Sequence, residues 1–134
     1  MPWQSEVIQI PFEGVWLPGY FLQPAATGAR PRKTVIALTG FDGTAEELYF
    51  QTGQAALERG WNVLIAEGPG QTGFLRFHPN VAFRPDYERP VGDMTTMYCR
   101  GVRSIHSGLQ FMASAMAGIL RLGLPHMIIG SRPW

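Results

Sequence analysis

The sequence predicts an α/β fold: an amino-terminal β-hairpin followed by one strand, helix, strand unit. Three observations predict it. Two aliphatic runs, TVIAL at residues 34–38 and NVLIA at residues 62–66, have the unbroken apolar character of strands covered on both faces. A stretch with helix start and stop signals lies between them. Both runs also end in glycine-rich corners, TGFDGT and EGPGQTG, at the carboxyl ends of strands, where α/β folds carry their functional loops.

Along the chain, residues 6–10 alternate apolar and polar side chains, as does part of GVWLPGYFLQP, and the intervening Pro and Gly predict two short strands of a hairpin. AATGARPRK is small, basic and Pro-containing, and therefore a connecting loop. After the strand TVIAL, Thr44 caps a helix and Glu47 completes a capping box, its charge favouring the positive end of the helix dipole. Ala45, Leu48, Tyr49, Thr52, Ala55 and Ala56 form one apolar or small face, and Gly60 supplies a left-handed stop. WNVLIA repeats the buried strand, which closes a right-handed βαβ unit. From FHPNVAFRPDYERP onward, Pro and aromatic residues predict an irregular excursion.

Composition narrows the function. The 134 residues, 46% hydrophobic and 16% charged, suffice for one domain with a core. A net charge of +1 without blocks of like charge gives no footprint for nucleic acid and leaves a small-molecule site open. The single Cys99 excludes an internal disulfide and lacks the surroundings of a reactive thiol. MPWQSEVIQI has neither a basic n-region nor a long apolar h-region, so the expected compartment is the cytoplasm. FMASAMAGILRLGLPHMIIG approaches membrane-spanning length, but Arg121 in its middle and Pro125 and His126 near its end make insertion costly. His78, His106 and His126 have no metal-ligand spacing with carboxylates or Cys99, so neither a metal nor a cofactor is expected.

The corner TGFDGT admits two readings. Gly40 and Gly43 permit tight turning and close backbone approach, so that the amides of Phe41 and Asp42 face a cleft and stabilise an oxyanion; alternatively, Asp42 bonds backbone amides within a plain loop. Spacing alone leaves both open. EGPGQTG lacks the order of a P-loop and Pro69 removes an amide donor, while TGFDGT is not Gly-x-Gly-x-x-Gly, so a nucleotide site is not expected.

Taken together, RKTVIALTGFDGTAEELYF, AALERGWNVLIAEGPGQTG and FRPDYERPV resemble the α/β-hydrolase family, in particular its branch of dihydropseudooxynicotine-hydrolase-like and fermentation/respiration-switch esterase-like proteins. The likeness covers residues 7–93 and implies a partial α/β-hydrolase sheet. It implies further that the corner Thr39-Gly40-Phe41-Asp42-Gly43 carries an oxyanion amide on Phe41, with Asp42 as a neighbouring corner residue, and that intact relatives hydrolyse ester, amide or activated carbon–carbon bonds of small molecules. The loop Glu67-Gly68-Pro69-Gly70-Gln71 departs from the family's Asp-Gly-Pro-Gly-Gln-Gly by its Glu and by Thr72 before Gly73. The nucleophilic Gly-x-Ser-x-Gly and the later acid and His are not present as motifs, and Gly130-Ser131-Arg132-Pro133 lacks the second glycine of such an elbow.

The texture of the chain changes after Asp93. Residues 94–134 hold five of the six methionines and no Asp or Glu. Translation of the same bases in a shifted frame accounts for this. Joining the third base of each codon to the first two of the next, Met112 with Ala113 and Met116 with Ala117 are each forced to give glycine, and the whole stretch from Gly108 to His126 can spell IAVYGISYGGYLAPRAAA, a nucleophile elbow. The expected organisation is therefore residues 1–93 as the amino-terminal part of an α/β-hydrolase domain and residues 94–134 as a frameshifted tail, helical or poorly ordered, in a chain that is itself inactive. Its sheet is expected to leave an apolar edge uncovered. Two rival readings are a non-enzymatic module whose tail helix, over residues 105–122, binds a partner or a membrane surface, and a ligand-binding βαβ domain that uses the GPGQTG loop.

Overall fold

The structure, a computed structural model, describes residues 3–25, 32–101 and 109–113, with side chains described for residues 3–25 and 32–97. Strands β1 (Trp3–Phe12) and β2 (Val15–Pro24) form the hairpin. At ten residues each they are longer than the short strands the alternation marked, because pairing continues through Pro11 and Pro18 from Trp3↔Pro24 to Phe12↔Val15. Glu13 and Gly14, both at positive φ, close the turn.

Strands β3 (Thr34–Leu38) and β4 (Asn62–Ala66) are parallel and in register from Thr34↔Asn62 to Leu38↔Ala66. Every residue of both strands is buried. Their side chains alternate between two cores, as the unbroken apolar runs require. Ile36, Leu38, Leu64 and Ala66 join Ile10, Leu17, Phe74, Val91 and Met94 on one face, while Val35, Ala37, Val63 and Ile65 pack with Ala45, Leu48, Ala56 and Leu57 on the other. Helices thus cover both sides of the sheet: α1 (Ala45–Leu48) and α2 (Gln54–Glu58) on one, α3 (Thr72–Phe77) and α4 (Glu88–Gly101) on the other.

The sheet has five strands in the order β1-β2-β4-β3-β5. Both sides of the β3–β4 pair are covered, because β2 pairs antiparallel with β4 and β5 (Leu109–Ala113) pairs parallel with β3, and the edges among the described residues are β1 and β5. β5 falls within the stretch 105–122 read as a tail helix; there the open hydrogen-bonding row of β3 takes the chain as a strand instead. Gly19 lets β2 approach β4 closely, since a Cβ there would meet the Ile65 carbonyl oxygen at 2.7 Å. Helix α4 runs without interruption through Asp93 and Met94, and Met94 is fully buried.

The crossover between β3 and β4 contains a departure from helical period. Thr44 accepts from the Glu47 amide at 3.2 Å, as expected of the cap, but the Glu47 carboxylate accepts from Gln51 rather than completing the box. A π-helical turn, Tyr49–Gly53, then separates α1 from α2. Of the predicted face Ala45, Leu48 and Ala56 are buried, Tyr49 and Thr52 half-buried and Ala55 exposed, while Gly53 and Leu57 are buried as well. Gly60 stops the helix at φ +78°, with Gly60 N–H donating to the Leu57 carbonyl and Trp61 N–H to that of Ala56.

Candidate functional site

The corner 39–44 leaves the sheet at the carboxyl end of β3, and the loop 67–71 leaves it at the carboxyl end of the adjacent β4. Parallel pairing alone brings the two loops side by side, and two buried polar side chains then fasten them together. Gln71, 1% exposed, donates through Nε2 to the carbonyl oxygens of Thr39 at 2.6 Å and Gly40 at 3.1 Å, while its Oε1 accepts from the Gly68 amide at 2.5 Å. Two carbonyls that need a donor and one N–H that needs an acceptor fix the orientation of this amide.

Glu67, 4% exposed, accepts from the Ala45 amide at 2.7 Å through Oε1 and from the Gly73 amide through Oε2. Its negative charge thereby meets the first turns of both α1 and α3, where orphan N–H groups and helix dipoles favour an anion. Gly73 has no room for a side chain beside that carboxylate. The Thr72 hydroxyl adds a long bond of 3.4 Å to the Asp42 carbonyl.

Of the sequence-predicted residues, Phe41 is 57% exposed and Asp42 is exposed. No hydrogen bond to the Asp42 side chain is present among the described residues, and the amides at the start of α1 are taken by others: Glu67 takes that of Ala45 and Thr44 that of Glu47. No backbone hydrogen bond among the described residues uses the Phe41 N–H. The Phe41 ring meets Phe83 edge to face at 5.5 Å, and Phe83 stacks on Tyr87 at 5.0 Å. Gly70, at φ +80°, lies directly against the backbone of Phe83, so the excursion is laid over the second loop. Tyr87 is buried against Gly68 with its hydroxyl in no well-formed hydrogen bond among the described residues, and burial pushes its pKa up against the pull of the Gly68 amide.

An ionic clamp holds the excursion down. Arg84 makes two bonds to Asp86, at 2.5 and 2.6 Å, and one to Glu13 in the hairpin turn at 2.7 Å, with its guanidinium 5.2 Å from the Phe12 ring. Hydrogen bonding to Arg84 lowers the Asp86 carboxyl to about 2 and also lowers that of Glu13.

Of the amides of EGPGQTG, those of Gly68 and Gly73 donate to Gln71 and Glu67, and those of Glu67 and Gln71 to the carbonyls of Pro18 and Gly68. Two clefts flank α1, one of ≈ 340 Å³ lined mainly by aromatic and aliphatic side chains including Trp3, Tyr49 and Phe50, the other of ≈ 220 Å³ reaching Glu46, Glu67 and Arg76; neither is lined by Phe41 or Asp42. Among the described residues no three His, Cys, Asp or Glu side chains gather as a metal site, and no helix is long and apolar enough to cross a membrane. His78 packs its ring on Phe74 at 4.8 Å. His106, His126, Ser131 and the segment from Ser114 onward lie outside the described residues, as does the side chain of Cys99. Sequence reasoning gave Gln71 and Glu67 no role of their own. Their signal is an acid and an amide set in a glycine-rich loop immediately after a fully buried strand, where both end up almost wholly buried.

No protein-family model matches the chain. It is 43% identical over 84 residues to the α/β hydrolase pydG of Acremonium sp, which covers 60% of this chain and 20% of that protein. It is 33% identical over 113 residues to the hydrolyase poxO of Penicillium oxalicum, covering 82% of this chain and 26% of that one. The chain thus spans about a fifth to a quarter of the length of these curated relatives. Among solved structures, 2,6-dihydroxy-pseudo-oxynicotine hydrolase matches with a TM-score of 0.67 and 24% identity over 81% of this chain and 29% of that chain. Est1E from Butyrivibrio proteoclasticus matches with a TM-score of 0.59 and 18% identity over 82% of this chain and 40% of that chain. The structural likenesses establish the shared fold, and the stronger sequence matches carry the same family name. This protein is a partial α/β-hydrolase-like chain.

Proposed function

We propose that residues 1–93 form the oxyanion-binding side of an α/β-hydrolase site, and that these 134 residues hold a small ester, amide or activated ketone without hydrolysing it. In this reading the Phe41 amide receives the carbonyl oxygen that becomes an oxyanion when a nucleophile attacks the carbon. Loss of one such donor costs an enzyme about 10²–10³ in turnover. The role of Asp42 is to leave the corner open: its exposed side chain makes none of the bonds that close the turn.

The observation that carries the proposal is the register of β5 on β3. Leu38 pairs with Ala113, so β5 ends level with the end of β3, beside the start of the corner. A nucleophile for a carbonyl held by Phe41 belongs at that place. In the sequence Ser114 comes next, but Met112 and Met116 stand at the spacing where a strained elbow needs glycine, and residues 115–134 hold no Asp or Glu. The two glycines forced in the shifted frame fall on the Met112 and Met116 codons, which bracket the same position. The acid-free tail therefore reads as an elbow and its following helix translated out of frame.

Two experiments test this. Purified chain is expected to hydrolyse short-chain aryl esters no faster than buffer; saturable turnover abolished by Ser114→Ala would refute the inactive reading. The coding DNA tests the frame. A serine between the forced glycines needs an A at the third base of the Ser114 codon, followed by the GC of Ala115, so Ser114 must be encoded by TCA. Any other codon sinks the displaced elbow. With TCA present, restoring the frame just before Met94 is expected to bring back Gly-x-Ser-x-Gly, and with it esterase activity where a downstream acid and His are encoded.

A further inference from the structure

We infer that Gln71 is a positioning residue that aims the Phe41 N–H, acting through the peptide plane between Gly40 and Phe41; this rests on the oxyanion reading of the corner. A trans peptide is rigid and planar, so its C=O and N–H point in opposite directions. The Gly40 carbonyl and the Phe41 N–H belong to one such plane. Gln71 Nε2 draws the Gly40 oxygen toward itself at 3.1 Å, and the N–H of Phe41 is thereby turned away from the loop 67–71. The same side chain holds the Thr39 carbonyl at 2.6 Å, which turns the Gly40 N–H away by the same rule. Two successive amides thus face outward from one buried anchor, an arrangement that suits an anionic oxygen.

The anchor is itself well held. Gln71 is 1% exposed, its third bond ties it to the Gly68 amide, and α3 begins immediately after it at Thr72. Its bonds to the corner span 32 and 31 residues of sequence, so nothing local to TGFDGT would supply the same constraint. Without the two donors of Nε2, the carbonyls of Thr39 and Gly40 would turn toward solvent to find hydrogen bonds, and each rotation would carry the opposite N–H inward.

The test uses the full chain, labelled with ¹⁵N and partially aligned, and reads N–H residual dipolar couplings. Gln71→Met keeps the volume and removes both donors; Gln71→Glu at neutral pH keeps an acceptor for the Gly68 amide and removes the donors. Changed couplings at Gly40 and Phe41, with those of residues 34–38 and 62–66 unaltered, are expected. Unchanged Phe41 couplings in both variants overturn the inference, and so does a change that spreads equally through both strands. For a variant that yields no usable spectrum, hydrogen exchange by mass spectrometry at low micromolar concentration decides the same point: acceleration confined to residues 39–44 supports the inference, and acceleration throughout residues 34–38 and 62–66 overturns it. Titration of the unaltered chain with phenylphosphonate separates this from the reading beneath it. A shift of the Phe41 amide resonance supports oxyanion binding. Couplings that move in the variants with no phenylphosphonate response in the unaltered chain leave Gln71 as the positioning residue and refute the oxyanion role.

Discussion

The two glycine-rich corners sit side by side at the ends of neighbouring parallel strands, yet their amides have opposite fates. At the loop 67–71 and the start of α3, the Gly68 and Gly73 amides are taken by Gln71 and Glu67. At the corner 39–44, the carbonyls of Thr39 and Gly40 are held from within, and Phe41 lies exposed. Glycine content does not distinguish these corners. What distinguishes them is whether a buried side chain occupies the donors or the acceptors of the loop. The second corner serves as a fixture, and the first is what the fixture holds.

The most severe way to break this contrast is to remove the carboxylate shared by the two loops. Glu67→Ala leaves the Ala45 and Gly73 amides without their acceptor, at about 1–3 kcal/mol for each buried donor and so about 2–6 kcal/mol together. A large fall in the urea midpoint is expected, and a midpoint within experimental error of the unaltered chain would show that the two loops are not fastened through this residue.

A smaller effect, dependent on pH, comes from the clamp that lays Phe83 over Gly70. The Asp86 carboxyl is lowered from its ordinary 3.8 to about 2 by its bonds to Arg84. A carboxylate with a depressed folded-state pKa contributes stability that is fully present above its unfolded pKa and is lost as pH falls through its folded pKa. The advantage of the unaltered chain over Asp86→Asn is therefore expected at pH 5, shrinking between pH 4 and 2 and gone below pH 2, read from urea midpoints across that range. A constant gap from pH 5 to below 2 would mean that the ion pair does not hold the excursion.

The smallest effect is expected at the open corner. Asp42→Ala removes an exposed side chain that makes none of the turn's bonds, so stability should move by no more than about 0.5 kcal/mol in either direction. A loss of about 1–2 kcal/mol, the size of a lost cap, would restore the plain-loop reading in which Asp42 holds the turn.

Legibility in the sequence follows the range over which each feature is determined. TVIAL, NVLIA, the Thr44 cap and the Gly60 stop are local signals, and each appears in the structure where the residues indicate. The stripe on the crossover helix was legible at Ala45, Leu48 and Ala56, whereas Ala55 is exposed, Gly53 is buried, and the π turn left no signal in the residue pattern. β5 was not legible at all: LQFMA has no strong strand pattern, and what makes it a strand is the open row of hydrogen-bonding groups on β3, far away in sequence. The candidate site divides in the same way. The corner could be found from its glycines, whereas the bonds from Gln71 cross 31 and 32 residues and leave no periodic trace.

The π turn at Tyr49–Gly53 has a consequence for how the chain tolerates insertion and deletion. A single residue gained in an α-helix advances everything beyond it by about 100° and 1.5 Å, which would rotate either the capped end at Thr44 or the packed end at Ala56 and Leu57 out of place. Held as a local bulge, the added residue leaves both ends where their partners need them. The helix is thereby decoupled into two independently seated halves. Length variation within residues 49–53 can be absorbed there, while the Thr44 end, one residue from the Glu67 contact at Ala45, keeps its phase against the sheet.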